Sequence, residues 1–227
     1  MTTIDLQNVR DELCNKLRGA DIFTTTVRGV TTTTDNFVAT SAQTAFQLAN
    51  TLVRNVRSVT VASVAKTYIT DFTFNETTGV LTLTTGATVS DAVAVQYDYS
   101  STGSDRIYPD MPRVDLGLTS YPRVGIQITS ITTTPLGLGG SAHVSDILLT
   151  VYAFVPANKD SAIANSAGGT EYLTDLITSI RTAVRSGAKA FGSFRYITPA
   201  TVSPVIAGTD NKVLQQSIDF RIPYVIE

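Results

Sequence analysis

Residues 105–154, DRIYPDMPRVDLGLTSYPRVGIQITSITTTPLGLGGSAHVSDILLTVYAF, carry the clearest fold signal in this chain. Val124, Ile126 and Ile128 alternate with polar residues or glycine, which is typical of a strand with one buried face. A more continuously apolar run at residues 147–155 indicates a strand that is buried on both faces. The Gly-rich residues 135–140 between them are the predicted tip of a long hairpin.

Apolar patterns on either side of this hairpin predict two helices and a further strand. Together with the hairpin they form an α+β body. Apolar residues recur at helical spacing in residues 3–18 and 170–190, and they alternate again in residues 218–226. We expect an antiparallel or mixed sheet with two helices packed on it. Residues 1–35 and 105–227 are predicted to form this body.

The residues between these two parts of the body show the alternation of strands rather than a helical period. Alternation of the β type dominates residues 37–99, and Gly79 ends a short loop in which a bulged hairpin turn needs a positive φ. Residues 36–104 are therefore predicted to be an inserted β-sandwich-like module that ends in a flexible linker. The Thr-rich residues 21–35 are predicted to be an extended arm or edge strand between the two parts.

Composition narrows the classes of function. Cys14 is the only cysteine and His143 the only histidine, so sites that need several Cys or His ligands are excluded. The formal net charge is −2 and only 16% of residues are charged. This balance is unlike that of a nucleic-acid-binding protein and is typical of a surface that neighbouring subunits cover. We expect no cofactor and no metal.

The sequence shows no membrane or export signal. No run approaches the roughly 18 to 20 apolar residues that a membrane span needs, and the N-terminus lacks the pattern of a secretory signal. We expect no membrane partner and synthesis in a reducing cytoplasm.

Catalysis has weak support in the sequence. His143 lies near two serines and Asp146, but the members of a catalytic triad are brought together by the fold rather than by sequence proximity. Cys14 is expected to be a small core residue of the first helix rather than a nucleophile. We therefore expect no enzymatic activity.

Three carboxylates recur at a spacing of five in an extended, proline-containing segment, where strand geometry does not bring them to one face. They are Asp105, Asp110 and Asp115. Their expected role is to pair with arginines, either within the chain or across a subunit contact. The candidate partners are Arg106, Arg113 and Arg123.

The loop at residues 135–140 is a candidate partner site. It lacks the lysine of a phosphate-binding loop and does not lead into a helix. Its apolar Leu136 and Leu138 favour a loop that becomes ordered when it docks onto another protein.

A basic stripe is a second candidate partner site. Arg181, Arg185 and Lys189 lie four residues apart and so share one face of the predicted helix. The expected role of this stripe is a solvated surface. Two alternatives are a weak, salt-sensitive contact with DNA and pairing with acidic residues of a neighbouring subunit.

The order of these elements resembles the tail terminator (tail completion) proteins in the neck of tailed bacterial and archaeal viruses. The resemblance covers about residues 1–30 and 105–227. It consists of a first helix, a strand after Tyr121-Pro122-Arg123, the Gly-rich loop, the strand at residues 147–152, a long helix and a C-terminal strand. Residues 37–99 depart from the compact form of that family and look like the small β modules that decorate many virion proteins.

The resemblance implies a structural virion protein that forms a homo-oligomeric ring, expected to be a hexamer. This ring would bind the last ring of tail-tube protein, stop tube growth and present a surface to the head connector or head-closure protein. Genomic DNA would pass through it without sequence-specific binding. The implied location is the virion neck, after assembly in the host cytoplasm. Head-to-tail contacts that close on themselves form such rings.

The expected contact residues follow from this resemblance. Arg113, Tyr121 and Arg123 are the expected subunit contact. The expected docking loop consists of Leu136, Gly137, Leu138 and Gly139.

Two alternatives stay open. One is another neck, head-closure or tail component. The other is a binding module whose β insertion recognises a host-surface carbohydrate through exposed aromatics such as Tyr68, Tyr97 or Tyr99. Because Tyr97 and Tyr99 share one face of a predicted strand, we expect them in the core instead.

Overall fold

The computed structural model describes residues 6–102, 105–111, 121–135, 143–157, 169–185, 197–208 and 212–226. The chain divides into two compact units. We call residues Arg18–Asp105 the module, and Met1–Leu17 together with Arg106–Glu227 the body. The described residues contain helices together with antiparallel and mixed sheets, which confirms the α+β class.

The described helices are α1 (Leu6–Gly19), α2 (Thr25–Arg28) and α3 (Gly169–Arg185). α1 buries Val9, Leu13 and Leu17 at the helical spacing seen in the sequence. Both α1 and α3 were predicted, and the predicted residues 3–5 and 186–190 lie outside the described part of the chain. No helix in the described ranges has the length and apolar character to cross a membrane.

α2 was not predicted. The hydroxyl of Thr24 accepts a hydrogen bond from the backbone N–H of Val27 at 3.3 Å, which caps the start of the helix. Gly29 ends it in the left-handed region, with φ of 73°. A helix of four residues is too short for its apolar residues to show a helical period.

Two antiparallel sheets form the module. Their strands are β1 (Thr31–Val38), β2 (Gln43–Gln47), β3 (Val53–Val61), β4 (Val64–Ala65), β5 (Phe72–Phe74), β6 (Val80–Ala87) and β7 (Ala92–Tyr99). The strand orders are β1-β7-β3-β4 and β2-β6-β5. Phe46 and Leu81 from the second sheet share one buried cluster with Val59, Val95 and Tyr97 from the first. A core between two sheets defines a sandwich.

The module begins earlier than the sequence indicated. The sequence predicts residues 1–35 in the body, but β1 pairs with β7 along its whole length, from Thr31 opposite Tyr99 to Val38 opposite Ala92. Residues 18–35 therefore belong to the module. The prediction of an extended arm or edge strand at residues 21–35 is confirmed for residues 31–35, which lie in the edge strand β1, and is wrong for residues 25–28, which form α2.

One mixed sheet forms the centre of the body. Its strands are β8 (Ile107–Tyr108), β9 (Arg123–Pro135), β10 (His143–Pro156), β11 (Thr198–Val202), β12 (Ile206–Ala207) and β13 (Val213–Ile226). The strand order is β11-β13-β10-β9-β8, and β12 also pairs with β13. Only the β8–β9 pairing is parallel among those described. The prediction that the three long strands share a sheet is confirmed.

α3 covers β10 and β13. It buries Leu173, Leu176, Ile177, Ile180 and Val184, which are the residues of the predicted apolar stripe. Facing strand residues such as Leu149, Val151 and Phe220 are fully buried. α1 contacts the sheet at β8, where the Cys14 thiol donates to the Ile107 carbonyl oxygen at a sulfur–oxygen distance of 3.7 Å.

Candidate assembly surfaces

Among the described residues, one edge of the body sheet has no strand partner along most of β9. β8 pairs with β9 only at Val124 and Gly125, and no other residue in the described ranges pairs with that side of β9. β9 has no charged residue between Val124 and Pro135. Proteins usually protect a free strand edge with charges or proline, since its unpaired N–H and C=O groups can bind another chain. Most of this edge lacks such protection.

The outer half of β9 is exposed on both faces. The register of β9 and β10 shifts at Leu148/Leu149, which leaves Thr129 as the extra residue of a β-bulge. Residues 129–134 beyond this point are all exposed, including Ile131 at 48%. A strand that packs on its own core alternates between buried and exposed residues. We call residues 129–134 the β9 arm.

Hydroxyl groups hold the β9 arm in place. Thr133 Oγ1 and Ser145 Oγ are 3.0 Å apart across the hairpin. Thr129 Oγ1 lies 3.1 Å from Thr150 Oγ1, which donates to Asp219 Oδ1 on β13 at 2.8 Å. These bonds link three strands where apolar packing is missing. They fix the shape of the arm before any partner binds, which lowers the entropic cost of binding.

A second exposed apolar surface lies on the opposite edge of the same sheet. Val202, Val205 and Ile206 are 45%, 37% and 53% exposed, and they flank β13 on the side away from β10. We call these three residues the edge patch. Sequence analysis missed it, although residues 198–209 carry no charge, which was a usable signal.

The structure corrects the expected subunit contact. Tyr121 and Arg123 are only 1% and 5% exposed. The Arg123 guanidinium carbon lies 4.6 Å from the centre of the Tyr108 ring, in a cation–π contact within the body. Neither side chain offers a surface to another subunit, so both are removed from the predicted contact. The pattern Tyr-Pro-Arg reflected core packing at the start of β9.

The other predicted contact residues fall into two groups. Arg181 and Arg185 lie on α3 and are exposed, as a solvated stripe requires. Outside the described residues lie Arg113, Leu136, Gly137, Leu138, Gly139 and Lys189. The flanks of the docking loop are described: Pro135 pairs with His143, so the loop connects the two strands of one hairpin.

The ends of the module meet in a buried ion-pair network. Arg28 is fully buried, and its guanidinium pairs with Asp98 at 2.9 Å and with Asp105 at 3.2 Å. Arg18 pairs with the same Asp105 at 2.9 Å. Asp105 was expected to pair with arginines close to it in sequence; two partners that the structure shows, Arg28 and Arg18, precede it by 77 and 87 positions. The network joins the incoming and outgoing chain segments of the module.

Asp98 is the central carboxylate of this network. Burial by itself raises the pKa of Asp98, but hydrogen bonds from Arg57 and Thr32 and the charge of Arg28 outweigh burial and hold the pKa below its ordinary value. Arg57 also binds Asp21, and these hydrogen bonds to Asp21 and Asp98 raise the pKa of the guanidinium. Asp98 and Arg57 are therefore both charged near neutral pH.

The module tyrosines are structural. Tyr97 is fully buried, and its hydroxyl donates to Asp35 Oδ2 at 2.9 Å. Tyr68 and Tyr99 are partly buried and pack against the module core. Their rings therefore do not form the exposed platform that a carbohydrate site uses. The prediction that Tyr97 is a core residue is confirmed.

Of the residues considered for catalysis, Cys14 lies in the core of the body. Cys14 is 1% exposed, so the prediction of a core residue is confirmed. Within the described ranges, no group of three His, Cys, Asp or Glu side chains is placed to hold a metal ion.

Comparison with known protein families and with curated proteins found no match to this chain.

Proposed function

We propose that this chain is a structural protein of the neck of a tailed virus. It forms a ring, with six copies as the expected number, that ends the tail tube and joins it to the head connector or head-closure protein. The observation that carries this proposal is the β9 arm, a strand that extends beyond its own core with an open and uncharged edge.

A strand of this kind is stabilised when another protein covers it. Residues 129–134 bury little apolar surface, so the cost of ordering them is not offset by the chain's own core. Exposed apolar side chains and free strand edges are also hazards for aggregation. Both features are explained when another protein covers them. Assembly is therefore a better account of the body than catalysis.

The proposed partners use different parts of the body. The docking loop with Leu136 and Leu138 follows directly from the β9 arm and is assigned to the tail tube or the connector. Arg181 and Arg185 are exposed, but two cations on a chain of net charge −2 give only weak attraction for DNA. DNA therefore passes the ring without sequence-specific binding.

Disruption of the gene in the virus tests this proposal. Lysates of cells infected with the disrupted virus are imaged by electron microscopy, and the length of the tail tubes is measured. We expect overlong tubes that are not joined to heads. Complementation with the wild-type chain restores joined particles. Complementation with Leu138→Asp plus Gly139→Asp fails, whereas the control Val64→Asp, at an exposed module residue, succeeds.

Other outcomes identify the alternatives. Tubes of normal length beside heads that have lost their DNA would indicate a head-closure protein. Complete particles that fail to attach to cells would indicate that the module is an attachment domain. Complete and infectious particles would refute the proposed function.

A further inference from the structure

We propose that two free copies of this chain pair through the exposed face of α3, with the helices antiparallel and Thr178 of one copy against Thr178 of the other. In this pair Glu171 and Asp175 of each copy face Arg185 and Arg181 of the other. The inference goes beyond the proposed function and does not rest on it, because the pair uses neither the β9 arm nor the docking loop. For the basic stripe, it selects pairing with acidic residues of another copy.

The charges on this face are arranged antisymmetrically about Thr178. Glu171 lies seven positions before Thr178, and Arg185 lies seven positions after it. Asp175 and Arg181 lie three positions before and three positions after it. All five residues are exposed. When two such helices run antiparallel around Thr178, each acidic residue therefore lies level with an arginine of the other copy, about 10 Å or about 4.5 Å from the centre.

The turn of the helix brings these residues to one side. Residues seven positions apart lie nearly above one another, because seven residues make almost two turns. Glu171, Thr178 and Arg185 therefore form a row along the middle of the exposed face. Antiparallel helices that pack along such rows cross at about 20°. Asp175 and Arg181 flank the row, where the long arginine side chain can reach the carboxylate of the other copy.

The helix dipole explains only part of this pattern. An acidic first turn and a basic last turn are favourable in any helix, which accounts for Glu171 and Arg185. The effect falls off within the terminal turns, so it does not account for Asp175 and Arg181. The two acidic residues also lie four positions apart, as do the two arginines, and like charges at that spacing destabilise a helix. Opposite charges from a second copy offset both repulsions.

Short side chains allow the two helices to approach. Thr174, Thr178 and Thr182 lie between the charged residues on the exposed face. The hydroxyls of Thr174 and Thr178 donate to the backbone carbonyl oxygens of Thr170 and Thr174, each at 2.9 Å. These two hydroxyls therefore stay satisfied within the helix when a second helix covers them.

The pair is a state of the free chain rather than a contact of the ring. Each surface meets its own copy, so the contact closes after two copies and does not continue around a ring. Exposed ion pairs contribute little individually, so the pair is expected to be weak. It is also expected to dissociate in high salt, since the range of the attraction falls from about 10 Å at 0.1 M to about 3 Å at 1 M.

Charge reversal tests the contact in the full chain. Glu171→Arg plus Asp175→Arg makes the face entirely basic, and Arg181→Glu plus Arg185→Glu makes it entirely acidic. Sedimentation velocity measures self-association. We expect the unmodified chain to pair at low salt and to separate at about 1 M salt. Each variant alone should pair at least about tenfold more weakly, because like charges then face each other. An equal mixture of the two variants should pair again, which a failure to fold would not allow.

A cysteine at the centre of the contact gives a second measurement. Thr178→Cys places two thiols at the twofold axis, where a mild oxidant joins them. Ser179→Cys is the matched control, because Ser179 is also exposed but lies about 100° further around the helix. We expect covalent dimers, and no larger species, to form at least about tenfold faster from Thr178→Cys. The native Cys14 is 1% exposed, so it gives no background.

Several results would overturn the inference. An unmodified chain that stays monomeric at low salt would refute the pair. Self-association that persists in both charge-reversal variants, or equal rates from Thr178→Cys and Ser179→Cys, would show that another surface is used. A mixture that stays monomeric although circular dichroism shows both variants folded would refute the charge pairing. The number of copies in the particle does not depend on these results, so the proposed function is tested separately.

Discussion

Arg28 pairs with two buried carboxylates of the module. Its side chain is fully buried, and so is that of Asp98, while Asp105 is 3% exposed. Burying charges is costly unless each is paired and hydrogen-bonded, and Arg28 supplies the pairing for both carboxylates. Arg57 also binds Asp98 and Arg18 also binds Asp105, so the particular role of Arg28 is to link the two carboxylates.

Replacing Arg28 with methionine is expected to destabilise the module by about 3 kcal/mol, because each of two buried carboxylates loses one of its two arginine partners. Hydrogen exchange of the module amides, followed in increasing urea, measures this loss. Arg54→Met is the matched control: Arg54 pairs at 3.4 Å with Glu76, whose side chain is 41% exposed. Such an exposed pair contributes about 1 kcal/mol or less. Equal losses in the two variants would contradict the account.

Asp98 gives the module an acid-sensitive component of stability. Its pKa is lower in the folded protein than in the unfolded chain, so the folded state favours the charged carboxylate. This contribution is fully present above the ordinary Asp pKa of about 3.9 and is lost as the pH falls through the lower folded value.

Asp98→Asn is therefore expected to be less stable than the wild type at pH 7, and the difference should shrink below about pH 4. Urea unfolding at several pH values between 7 and 3 measures it. A difference that stays constant over this range would show that the charge of Asp98 has no part in stability.

The buried ion-pair network could not be predicted from the sequence. Arg28 is separated from Asp98 by 70 positions and from Asp105 by 77. No local pattern links such residues, because their meeting depends on β1 pairing with β7. The sequence-based candidates for pairing with Asp105 did not include Arg18 or Arg28 for this reason.

At the scale of elements, the turn between β5 and β6 depends on one glycine. Gly79 has a φ of 71°, which confirms the positive φ predicted from the sequence. A Cβ at this position would lie 2.4 Å from the carbonyl oxygen of Asn50. Both the backbone conformation and the close approach therefore exclude a side chain.

Gly79→Ala is expected to destabilise the module by about 1–3 kcal/mol through strain and displacement of the neighbouring backbone. Chemical denaturation of the full chain measures the effect. Gly19→Ala is the control, because a Cβ at the end of α1 meets nothing within 4 Å. That change should be neutral or slightly stabilising, since alanine favours a helix more than glycine. A neutral Gly79→Ala would contradict the interpretation.

Long periodic elements were predictable, and short or partner-dependent ones were not. α1, α3 and the three long strands of the body show clear periods, and the structure contains all of them. α2 is shorter than one period of any apolar pattern. The burial of Tyr121 and Arg123 was missed because a Tyr-Pro-Arg run looks the same at a surface and in a core.

The whole chain is organised as a body with an inserted module. The incoming and outgoing ends of the module are joined directly, since Arg18 and Asp105 form an ion pair at 2.9 Å. The sequence predicted an insertion but placed its first residue at 36 instead of 18, because residues 18–35 lack the alternation of the later strands. β1 is assigned to the module by pairing alone.

Replacing residues 18–105 with a short Gly-Ser linker is expected to leave the body folded and able to form the ring. The ends to be joined are close together, so a short linker closes them at little entropic cost. Thermal unfolding and native mass spectrometry check these two properties. A body that no longer unfolds cooperatively would show that the module is part of its folding unit.

The most direct test of the central claim is the number of copies of this chain in each purified virus particle. Quantitative mass spectrometry measures it against the major capsid protein. The account predicts about six copies, as a single closed ring at the neck requires. Many dozens of copies would identify a tube or shell component, and complete absence from the particle would contradict the claim.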